Sequence, residues 1–344
     1  MFIPQIEELE KIVDTNDIAS LDALLKPNNR IQNRRQGFKS ALMLSAHNLK
    51  HLLKIESLKS DCIMLNLEDG VSAEQKPLAL RLAAYYLSKN PQSSKKIVVR
   101  VNALDEGGLD EIRFLNAYKP DAIRIPKVRD ISDVKTALDL LDESIELHLS
   151  IETKEAFANL KSLQYRGRVK AVYLGVLDLL ADLAIDQSVI MPENPTMHHL
   201  LAEFLVSAKT IGAYPVSFVY QDYQNMAEFQ RWLQLEKMMG FTAKGCISPA
   251  QADAVVQHFE LEDKALEKAH YIIELFEKMK KQGITGFADD KYGFIDDRGR
   301  IVIPCEFEYV SHFHEGRALY KENGLCGYID QNGTIVIPAK YDKA

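Results

Sequence analysis

The segment His148-Leu-Ser-Ile-Glu152-Thr-Lys-Glu-Ala156 is a short apolar run that ends at an acidic residue and continues with a helical pattern. The segment Ala171-Val-Tyr-Leu-Gly175-Val-Leu-Asp178-Leu179 repeats this design, and its acidic residue lies 26 positions after Glu152. In a parallel α/β barrel, the C-terminal ends of all strands open onto one mouth, where catalytic groups collect. The spacing matches one βα unit, so we expect Glu152 and Asp178 to be neighbouring candidate ligands of a hard cation.

Strand-like apolar runs alternate with amphipathic helical stretches from residue 38 to about 260. Eight runs are predicted to be strands: Ala41–Leu44, Cys62–Leu67, Ile97–Val101, Ala122–Ile125, Glu146–Ile151, Ala171–Leu174, Tyr214–Phe218 and Thr242–Ile247. Most of them precede a helical pattern, which is typical of a (β/α)8 TIM barrel rather than of an open sheet. The predicted fold class is therefore α/β, with a TIM barrel as the main domain.

The sequence predicts three regions along the chain. Residues 1–37 form a polar, helix-prone N-terminal extension that we expect to be a packing arm. Residues 38–282 form the barrel and end in a long charged helix, predicted over 262–281. Residues 283–344 differ in character, because short β-rich runs and turn residues replace the helical patterns.

The C-terminal region contains a repeat. Tyr292-Gly-Phe-Ile-Asp296 returns as Cys326-Gly-Tyr-Ile-Asp330, at an offset of 34 residues. A fixed period with glycine-containing turns between β-rich runs indicates a repeated hairpin. The repeat is similar to WG repeats, with Tyr292 and Cys326 at the position of the signature tryptophan. We expect a structural or interaction role for this region.

The composition argues against several classes of protein. Its 344 residues are 47% hydrophobic, which is enough for a sizeable core. The 42 basic and 49 acidic residues leave a net charge of -7, which argues against a general nucleic-acid binder. The N-terminus lacks a signal-peptide pattern, and no apolar stretch approaches the ~20 residues of a membrane span. The four scattered cysteines form no disulfide framework, which favours the reducing cytoplasm.

Six segments occur in an order that carries a family resemblance. They are Leu65-Asn-Leu-Glu68-Asp69-Gly-Val71, Val99-Arg100-Val-Asn102, Ile125-Pro-Lys127-Val128, Ile151-Glu152-Thr153, Gly175-Val-Leu-Asp178-Leu179 and Gly240-Phe-Thr-Ala-Lys-Gly-Cys-Ile-Ser248-Pro-Ala-Gln251. The set resembles the citrate lyase β-subunit and malyl-CoA lyase family (HpcH/HpaI aldolase/citrate lyase). This family belongs to the phosphoenolpyruvate/pyruvate class of TIM barrels, and the resemblance covers roughly residues 40–280.

The resemblance implies an enzyme, dependent on Mg²⁺ or Mn²⁺, that cleaves or forms a carbon–carbon bond next to a carbonyl group. Glu152 and Asp178 match the metal positions of the family. Mg²⁺ prefers oxygen ligands and keeps several waters, so two carboxylates from the protein suffice. The metal then stabilises an enolate as a Lewis acid. The expected substrate is a small keto- or hydroxy-acid.

Four further residues are candidates for the active site. Arg100 matches the active-site arginine of the family and is expected to bind a substrate carboxylate or the developing enolate. Its alternative role is a buried ion pair with Glu68. Glu68 and Asp69 are expected to hold metal-bound water or to orient Arg100, or else only to begin a helix. Lys127 follows a strand and a proline and is a candidate substrate-binding residue.

Several positions depart from the family pattern. Asn66 stands where an aspartate is usual, and Ser248 stands where a histidine is usual. Relatives that use coenzyme A have a Pro-Gly turn where this chain has Leu44-Ser45-Ala46-His47-Asn48, so recognition of a coenzyme A thioester stays open. The acid–base group is also open. Asp296 follows the long helix at nearly the family distance, but its repeat counterpart Asp330 indicates a turn residue.

Three functions are therefore considered. The first is a lyase or aldolase for a small keto- or hydroxy-acid, and the second is an acyl-CoA lyase of the citramalyl- or malyl-CoA type. The third is a binding protein without catalytic activity that captures a partner through its C-terminal repeats. Because the family commonly assembles through swapped C-terminal helices, a homo-oligomer, a trimer or hexamer, is expected. No nucleic-acid or membrane partner is expected.

Overall fold

The computed structural model describes residues 3–27, 30–33, 35, 37–260, 292–295 and 301–342. The chain divides into two compact units, Met1–Phe259 and Glu260–Ala344. Each unit has its own sheet structure and its own hydrophobic cluster. The predicted helix over 262–281 and the candidate Asp296 lie outside the described residues.

The first unit is built on an eight-stranded parallel sheet. Its strands are β1 (Ser40–Ser45), β2 (Cys62–Asn66), β3 (Lys96–Arg100), β4 (Ala122–Ile125), β5 (Glu146–Ile151), β6 (Val169–Leu174), β7 (Tyr214–Val216) and β8 (Lys244–Cys246). Strands β1 to β7 pair in chain order, and β8 pairs with β1. A parallel bridge between Ser217 and Lys244 joins β7 to β8 and closes the barrel. The predicted TIM barrel is confirmed.

Helices of the first unit alternate with these strands. They are α1 (Ile3–Asp14), α2 (Ile18–Leu24), α3 (Leu49–Lys54), α4 (Lys76–Lys89), α5 (Gly108–Leu115), α6 (Ile131–Leu140), α7 (Lys154–Ala158), α8 (Val176–Asp182), α9 (Pro195–Thr210), α10 (Met226–Met239) and α11 (Pro249–His258). Capping side chains set where several of them begin. Ser248, which stands at the usual histidine position of the family, accepts a hydrogen bond from the backbone N–H of Gln251 at 3.2 Å and caps α11.

Alternation along each strand separates two apolar layers. On β3, Ile97 and Val99 pack outward against the helices, whereas Val98 points into the barrel. Strands of a parallel barrel are covered on both faces, so their sequences read as continuous apolar runs. The same alternation directs Arg100 inward, two residues after Val98 and at the C-terminal end of the strand.

The N-terminal extension packs onto the barrel. Leu9 of α1 and Leu21 of α2 are fully buried in the main hydrophobic cluster. Beyond α2, the guanidinium of Arg30 donates two hydrogen bonds to the carboxylate of Asp121, at 2.8 and 2.9 Å. Because this ion pair is buried and bidentate, it fixes the path of the extension across the barrel.

The second unit consists of antiparallel hairpins. Its described strands are β9 (Tyr292–Ile295), β10 (Ile301–Phe307), β11 (Tyr309–Val310), β12 (Arg317–Glu322), β13 (Leu325–Asp330) and β14 (Ile335–Tyr341). Strands β9 and β10 occupy the repeat positions of β13 and β14, in agreement with the period of 34 residues. The carboxylate of Asp330 accepts the backbone N–H groups of Asn332 and Thr334 at 2.9 Å, so this aspartate shapes a turn.

Candidate active site

Five candidate residues lie at the C-terminal ends of consecutive barrel strands. Arg100 ends β3, Glu152 follows β5 directly, and Glu68 and Lys127 each lie two residues beyond β2 and β4. Asp178 lies in the first turn of α8, after β6. Since the strands are parallel, these ends meet at one mouth, as the sequence predicted for a TIM barrel.

Glu152 is held in a defined position below the mouth. Its side chain is buried, and its Oε1 accepts the backbone N–H of Lys127 at 2.7 Å. Lys127 offers this N–H from a left-handed backbone conformation, with φ of 51°. Such a conformation costs a non-glycine residue about 1–2 kcal/mol, so the surrounding structure stabilises it. Thr153 caps α7 by accepting the N–H of Ala156 at 3.1 Å, which fixes the chain direction after Glu152.

Gly175 leaves the space that the side chain of Glu152 occupies. A Cβ atom at Gly175 would lie 2.6 Å from the Cβ of Glu152 and 2.8 Å from its Oε2. Both distances are shorter than real Cβ contacts, so any other residue would displace the carboxylate. The Gly175-Val-Leu-Asp178 segment therefore serves the site twice, once by this close approach and once through Asp178.

Arg100 lies at the centre of the carboxylates. It forms an ion pair with Glu68, and its Nη2 lies 3.2 Å from Oδ2 of Asp69 and 3.7 Å from Oε2 of Glu152. Burial alone would lower the pKa of Arg100, but the carboxylates of Glu152, Glu68, Asp69 and Asp178 outweigh it and raise the pKa. Its Nε has no hydrogen-bond partner within the described part of the chain. Arg100 is therefore a permanent cation with a donor still available.

Burial raises the pKa of Glu68 to about 7, against the opposing effect of Arg100 and with further contributions from Glu152 and Asp69. The pKa of Asp178 is also raised, by partial desolvation and then by Glu152 and Asp69. Nearby Lys127 has its Nζ 3.7 Å from Oε1 of Glu68. Desolvation, and to a smaller extent the neighbouring carboxylates, thus oppose ionisation of Glu68 and Asp178. An added cation would favour the ionised forms.

The hydrogen bonds of Asn66 explain why an amide can stand where an aspartate is usual in the family. Its Nδ2 donates a hydrogen bond to the backbone carbonyl of Asp69 at 2.5 Å, and its Oδ1 accepts the N–H of Glu68 at 3.4 Å. An ionised aspartate has no proton to donate to that carbonyl. The amide therefore closes the turn that presents Glu68 and Asp69. Asn66 is in register with Arg100, and as an amide it adds no negative charge there.

Exchange of Glu68 for glutamine should remove a pH dependence of stability in the metal-free protein. The raised pKa of Glu68 means that the folded state holds a proton that the unfolded state has lost, between its ordinary value of 4.5 and about 7. Glu68 therefore makes the free energy of unfolding fall as pH rises through this window, by about 3 kcal/mol at most.

Urea unfolding with EDTA at pH 5 to 8, followed by the fluorescence of the buried, single Trp232, measures this effect. The stability difference between Glu68→Gln and wild type should change across the window and level off above it. Glu155→Gln, an exposed carboxyl on α7, should show no such change. Parallel profiles for Glu68→Gln and wild type would contradict the prediction.

Two features of the barrel were not predicted from the sequence. One is the close approach at Gly175, and the other is Arg124, which lies inside the barrel on β4 with 8% of its surface exposed. The signal for Arg124 was a basic residue in the middle of the apolar run Ala122–Ile125. Asp69 and Lys127 lie at the mouth as expected, but both are exposed.

The side chains at the mouth suit a hard cation that takes few of its ligands from the protein. Its groups are carboxylate oxygens, and only one oxygen of Glu152 is taken by a backbone N–H. Within the described ranges, no cluster of three or more His, Cys, Asp or Glu side chains is arranged to hold a metal ion. A cation held by Glu152 and Asp178 would complete its coordination with water or substrate oxygens, which suits Mg²⁺.

The family model for HpcH/HpaI aldolase/citrate lyase matches residues 39–249, which is more than half of the chain. The chain belongs to the HpcH/HpaI aldolase/citrate lyase family. The model for the WG containing repeat matches residues 292–326 and 327–344. Both resemblances predicted from the sequence are confirmed. Aldolases and citrate lyases act on carbon–carbon bonds, and the predicted enzyme class, a carbon–carbon lyase, is confirmed at the level of the family.

Three relatives illustrate the likeness. The (3S)-malyl-CoA thioesterase of Cereibacter sphaeroides (strain ATCC 17025 / ATH 2.4.3) is 28% identical over 247 residues, which cover 72% of this chain and 85% of the relative. The citrate lyase subunit beta of Haemophilus influenzae is 27% identical over 281 residues, covering 77% of this chain and 95% of the relative. The solved structure of Mycobacterium tuberculosis CitE with magnesium, acetoacetate and coenzyme A has a TM-score of 0.56 and 20% identity, covering 78% and 94% of the two chains.

The likeness to the solved structure supports the fold of the first unit. No helix among the described residues combines the length and the apolar character needed to cross a membrane.

Proposed function

We propose that the protein is a Mg²⁺-dependent lyase or aldolase for a small keto- or hydroxy-acid, acting on the carbon–carbon bond next to the carbonyl group. The arrangement of the buried Arg100 among Glu68, Asp69 and Glu152, at the C-terminal end of the barrel, carries this proposal. It places one permanent cation and an excess of carboxylates at the place where the catalytic groups of TIM-barrel enzymes collect.

Glu152 and Asp178 would hold the metal ion. The first is preorganised by the N–H of Lys127, and the second has a raised pKa in the absence of a cation. When bound, Mg²⁺ supplies Lewis-acid stabilisation of the enolate that remains after the bond is cleaved. A cation is supported because its charge would offset the desolvation and the neighbouring negative charges that raise the pKa of Asp178.

Arg100 would bind the substrate. Its Nε is a buried donor without a protein partner in the described residues, and its charge is maintained by the surrounding carboxylates. A carboxylate or a developing oxyanion placed there would receive a charge-assisted hydrogen bond. Glu68 and Asp69 orient the guanidinium by their ion pairs, and the exposed Lys127 ammonium adds a second cation at the entrance.

The proposal is tested by removing the metal. The full chain is incubated with a panel of 4-hydroxy-2-keto acids, and release of pyruvate is followed by its reduction with NADH and lactate dehydrogenase. Turnover should fall to background in EDTA and return when Mg²⁺ is added in excess. Mn²⁺ should substitute in part, because it shares the preference for oxygen ligands. Turnover that is unaffected by EDTA, or no turnover on any member of the panel, would overturn the proposal.

A coenzyme A thioester is the second candidate substrate. It is supported by the malyl-CoA thioesterase relative and by a citramalyl-CoA lyase of Mus musculus, 25% identical over 270 residues. Where β1 ends, this chain lacks the Pro-Gly turn expected of relatives that use coenzyme A. Asn48 instead caps α3 there by accepting the N–H of His51. Calorimetry with acetyl-CoA and Mg²⁺ separates the two candidates. Absence of acetyl-CoA binding would exclude a coenzyme A thioester as the substrate.

A further inference from the structure

Glu111 is a buried acid that the proposed reaction does not use. It lies in the first turn of α5, with 8% of its surface exposed. Both of its carboxylate oxygens accept hydrogen bonds from one residue, Asn102. Oε2 accepts from the backbone N–H at 2.7 Å, and Oε1 accepts from Nδ2 at 2.5 Å. Burial raises the pKa of Glu111, and these two hydrogen bonds oppose the rise. Asn102 is therefore the partner that makes the burial of this acid tolerable.

Asn102 connects this acid to the turn that carries Glu68. It lies two residues after Arg100, and only 1% of its surface is exposed. The same Nδ2 that donates to Glu111 also donates to the backbone carbonyl of Leu67 at 3.2 Å. The backbone N–H of Leu67 donates to the carbonyl of Arg100 at 2.9 Å. Both backbone polar groups of Leu67, directly before Glu68, are thus held by the end of β3 and the residues after it.

The orientation of the Asn102 amide follows from the chemistry of its neighbours. The Glu111 oxygens and the Leu67 carbonyl are all acceptors, so the amide nitrogen must face them and the amide oxygen must point away. That oxygen is buried and has no hydrogen-bond partner within the described ranges. A buried acceptor without a partner costs free energy. Asn102 therefore holds the Leu67 carbonyl although this leaves its own oxygen unpaired.

The loop between β3 and α5 brings Glu111 to this position. The backbone N–H of Gly108 donates to the carbonyl of Ala103 at 3.0 Å, so the chain turns directly after Asn102. A Cβ atom at Gly108 would lie 2.2 Å from the carbonyl oxygen of Asn102 and 2.9 Å from that of Ala103. These are backbone atoms, which cannot move aside as the end of a flexible side chain can. Glycine at this position therefore allows α5 to begin close enough for Glu111 to reach Asn102.

The side chain of Glu68 has few supports of its own. It forms an ion pair with Arg100, but neither of its carboxylate oxygens has a hydrogen-bond partner in the part of the chain that the structure describes. Its position therefore depends on the backbone of the turn. Asn66 holds one end of this turn through the carbonyl of Asp69, at 2.5 Å, and Asn102 holds the other end through Leu67.

We propose that Glu111 and Asn102 are positioning residues, which hold the Leu67 carbonyl and so place Glu68 against Arg100. They act from behind the mouth, on the backbone of the turn. The consequence of this placement for turnover rests on the proposed function. The placement itself is a property of the folded chain without metal or substrate, so it can be tested separately.

The exchange Glu111→Gln breaks this hold without changing the size of the side chain. The backbone N–H of Asn102 still needs an acceptor, so the new amide turns its oxygen towards that N–H and its nitrogen towards the Asn102 side chain. Two NH₂ groups cannot bond to each other, so the Asn102 amide must turn over. It then offers oxygen instead of nitrogen to the Leu67 carbonyl. The contact with α5 survives, whereas the hold on Leu67 is lost.

The first experiment measures amide hydrogen exchange in EDTA by mass spectrometry. The N–H groups of Leu67 and Val71 are hydrogen-bonded in wild type, to the carbonyls of Arg100 and Glu68. Peptides that contain residues 67–71 should exchange about 3- to 10-fold faster in Glu111→Gln, as expected when one hydrogen bond that restrains the turn is lost. Peptides that contain residues 152–158 should exchange as in wild type. Faster exchange confined to residues 108–115 would show that Glu111 only anchors α5, and would overturn the proposal.

Asn116→Asp is the matched control. The Nδ2 of Asn116 donates to the backbone carbonyl of Leu140 at 2.8 Å, at the opposite end of α5 from Glu111. The control therefore also removes one side-chain N–H from a backbone carbonyl, but away from the mouth. It should leave the exchange of residues 67–71 unchanged. Equal acceleration of this turn in Asn116→Asp and Glu111→Gln would mean a general loosening of the fold and would contradict a specific positioning role.

The second experiment measures turnover with saturating Mg²⁺. Glu111→Gln should lower kcat/KM about 10- to 100-fold, the loss expected from a displacement of about 1 Å, and it should keep the wild-type affinity for Mn²⁺. In a Glu68→Gln background the same exchange should change kcat/KM little, because the carboxylate that it positions is already gone. Equal losses of kcat/KM in the two backgrounds would assign a purely structural role and overturn the proposal.

A second variant keeps the test decisive if Glu111→Gln folds poorly. The combination of Glu111→Gln with Asn102→Asp preserves both contacts between the two positions, with side-chain donor and acceptor exchanged, and also leaves no N–H for the Leu67 carbonyl. It should show the same faster exchange of residues 67–71, and wild-type exchange there would overturn the proposal. Faster exchange of this turn in a protein without turnover on any keto acid would support the positioning role and overturn the proposed function instead.

Discussion

Replacement of Glu152 by glutamine, or of Asp178 by asparagine, is expected to lower Mg²⁺-dependent turnover by about 10³-fold or more. Each variant removes one of the two carboxylates that would hold the metal, together with the stabilisation of the enolate that the metal supplies. The fold should persist. In Glu152→Gln the side-chain oxygen can still accept the N–H of Lys127, and Asp178 is exposed at the mouth.

The measurements are kcat with saturating Mg²⁺ and the affinity for Mn²⁺ by electron paramagnetic resonance. Both variants should lose Mn²⁺ affinity along with activity. Glu155→Gln is the matched control, since it removes an exposed carboxylate three residues after Glu152 without touching the mouth. Wild-type activity in both Glu152→Gln and Asp178→Asn would remove the metal assignment, even if the protein proved to be a lyase.

Replacement of Arg100 by methionine is expected to reduce both activity and stability. The activity should fall about 10²- to 10³-fold, as it does when a single donor to a developing oxyanion is removed. The stability should fall by about 3–5 kcal/mol, because Glu68 and Glu152 would be left buried without their counter-charge. Arg100→Lys should retain more stability than activity, since lysine keeps the charge but not the planar guanidinium.

The double variant Arg100→Met with Glu68→Gln separates substrate binding from a buried ion pair. Removing both partners should restore much of the stability, because no unpaired charge remains at that contact. The activity should stay low if Arg100 acts on the substrate. Recovery of activity together with stability would show that Arg100 serves only as an ion-pair partner of Glu68, the alternative that the sequence left open.

The strands of the barrel could be predicted because they are covered on both faces. The run Glu146–Ile151 coincides with β5, and Ala122–Ile125 coincides with β4. The last two strands are shorter than predicted, since β7 ends at Val216 and β8 spans Lys244–Cys246. An apolar run shows burial, but a strand also needs a paired backbone. Phe218 is buried although it lies beyond the end of β7.

The candidate residues of the mouth were predictable for a different reason. The strands are parallel, so a polar residue at the C-terminal end of each one must arrive at the same face. Glu152 and Asp178 needed no more than this rule and their order in the chain, whereas Arg100 was selected through the family resemblance. Arg124 did not follow from it, because only the register with β3 and the missing carboxylate partner distinguish it from an ordinary strand residue.

The amino-acid order specified which residues reach the mouth, because apolar periodicity and parallel connections depend on local sequence. The tertiary structure decided what those residues do to one another. The proton affinity of Glu68, the space that Gly175 leaves for Glu152 and the isolation of Arg124 all depend on distances between strands that are far apart in the chain. Electrostatic and steric energies change steeply over a few ångströms, and such distances are absent from a one-dimensional pattern.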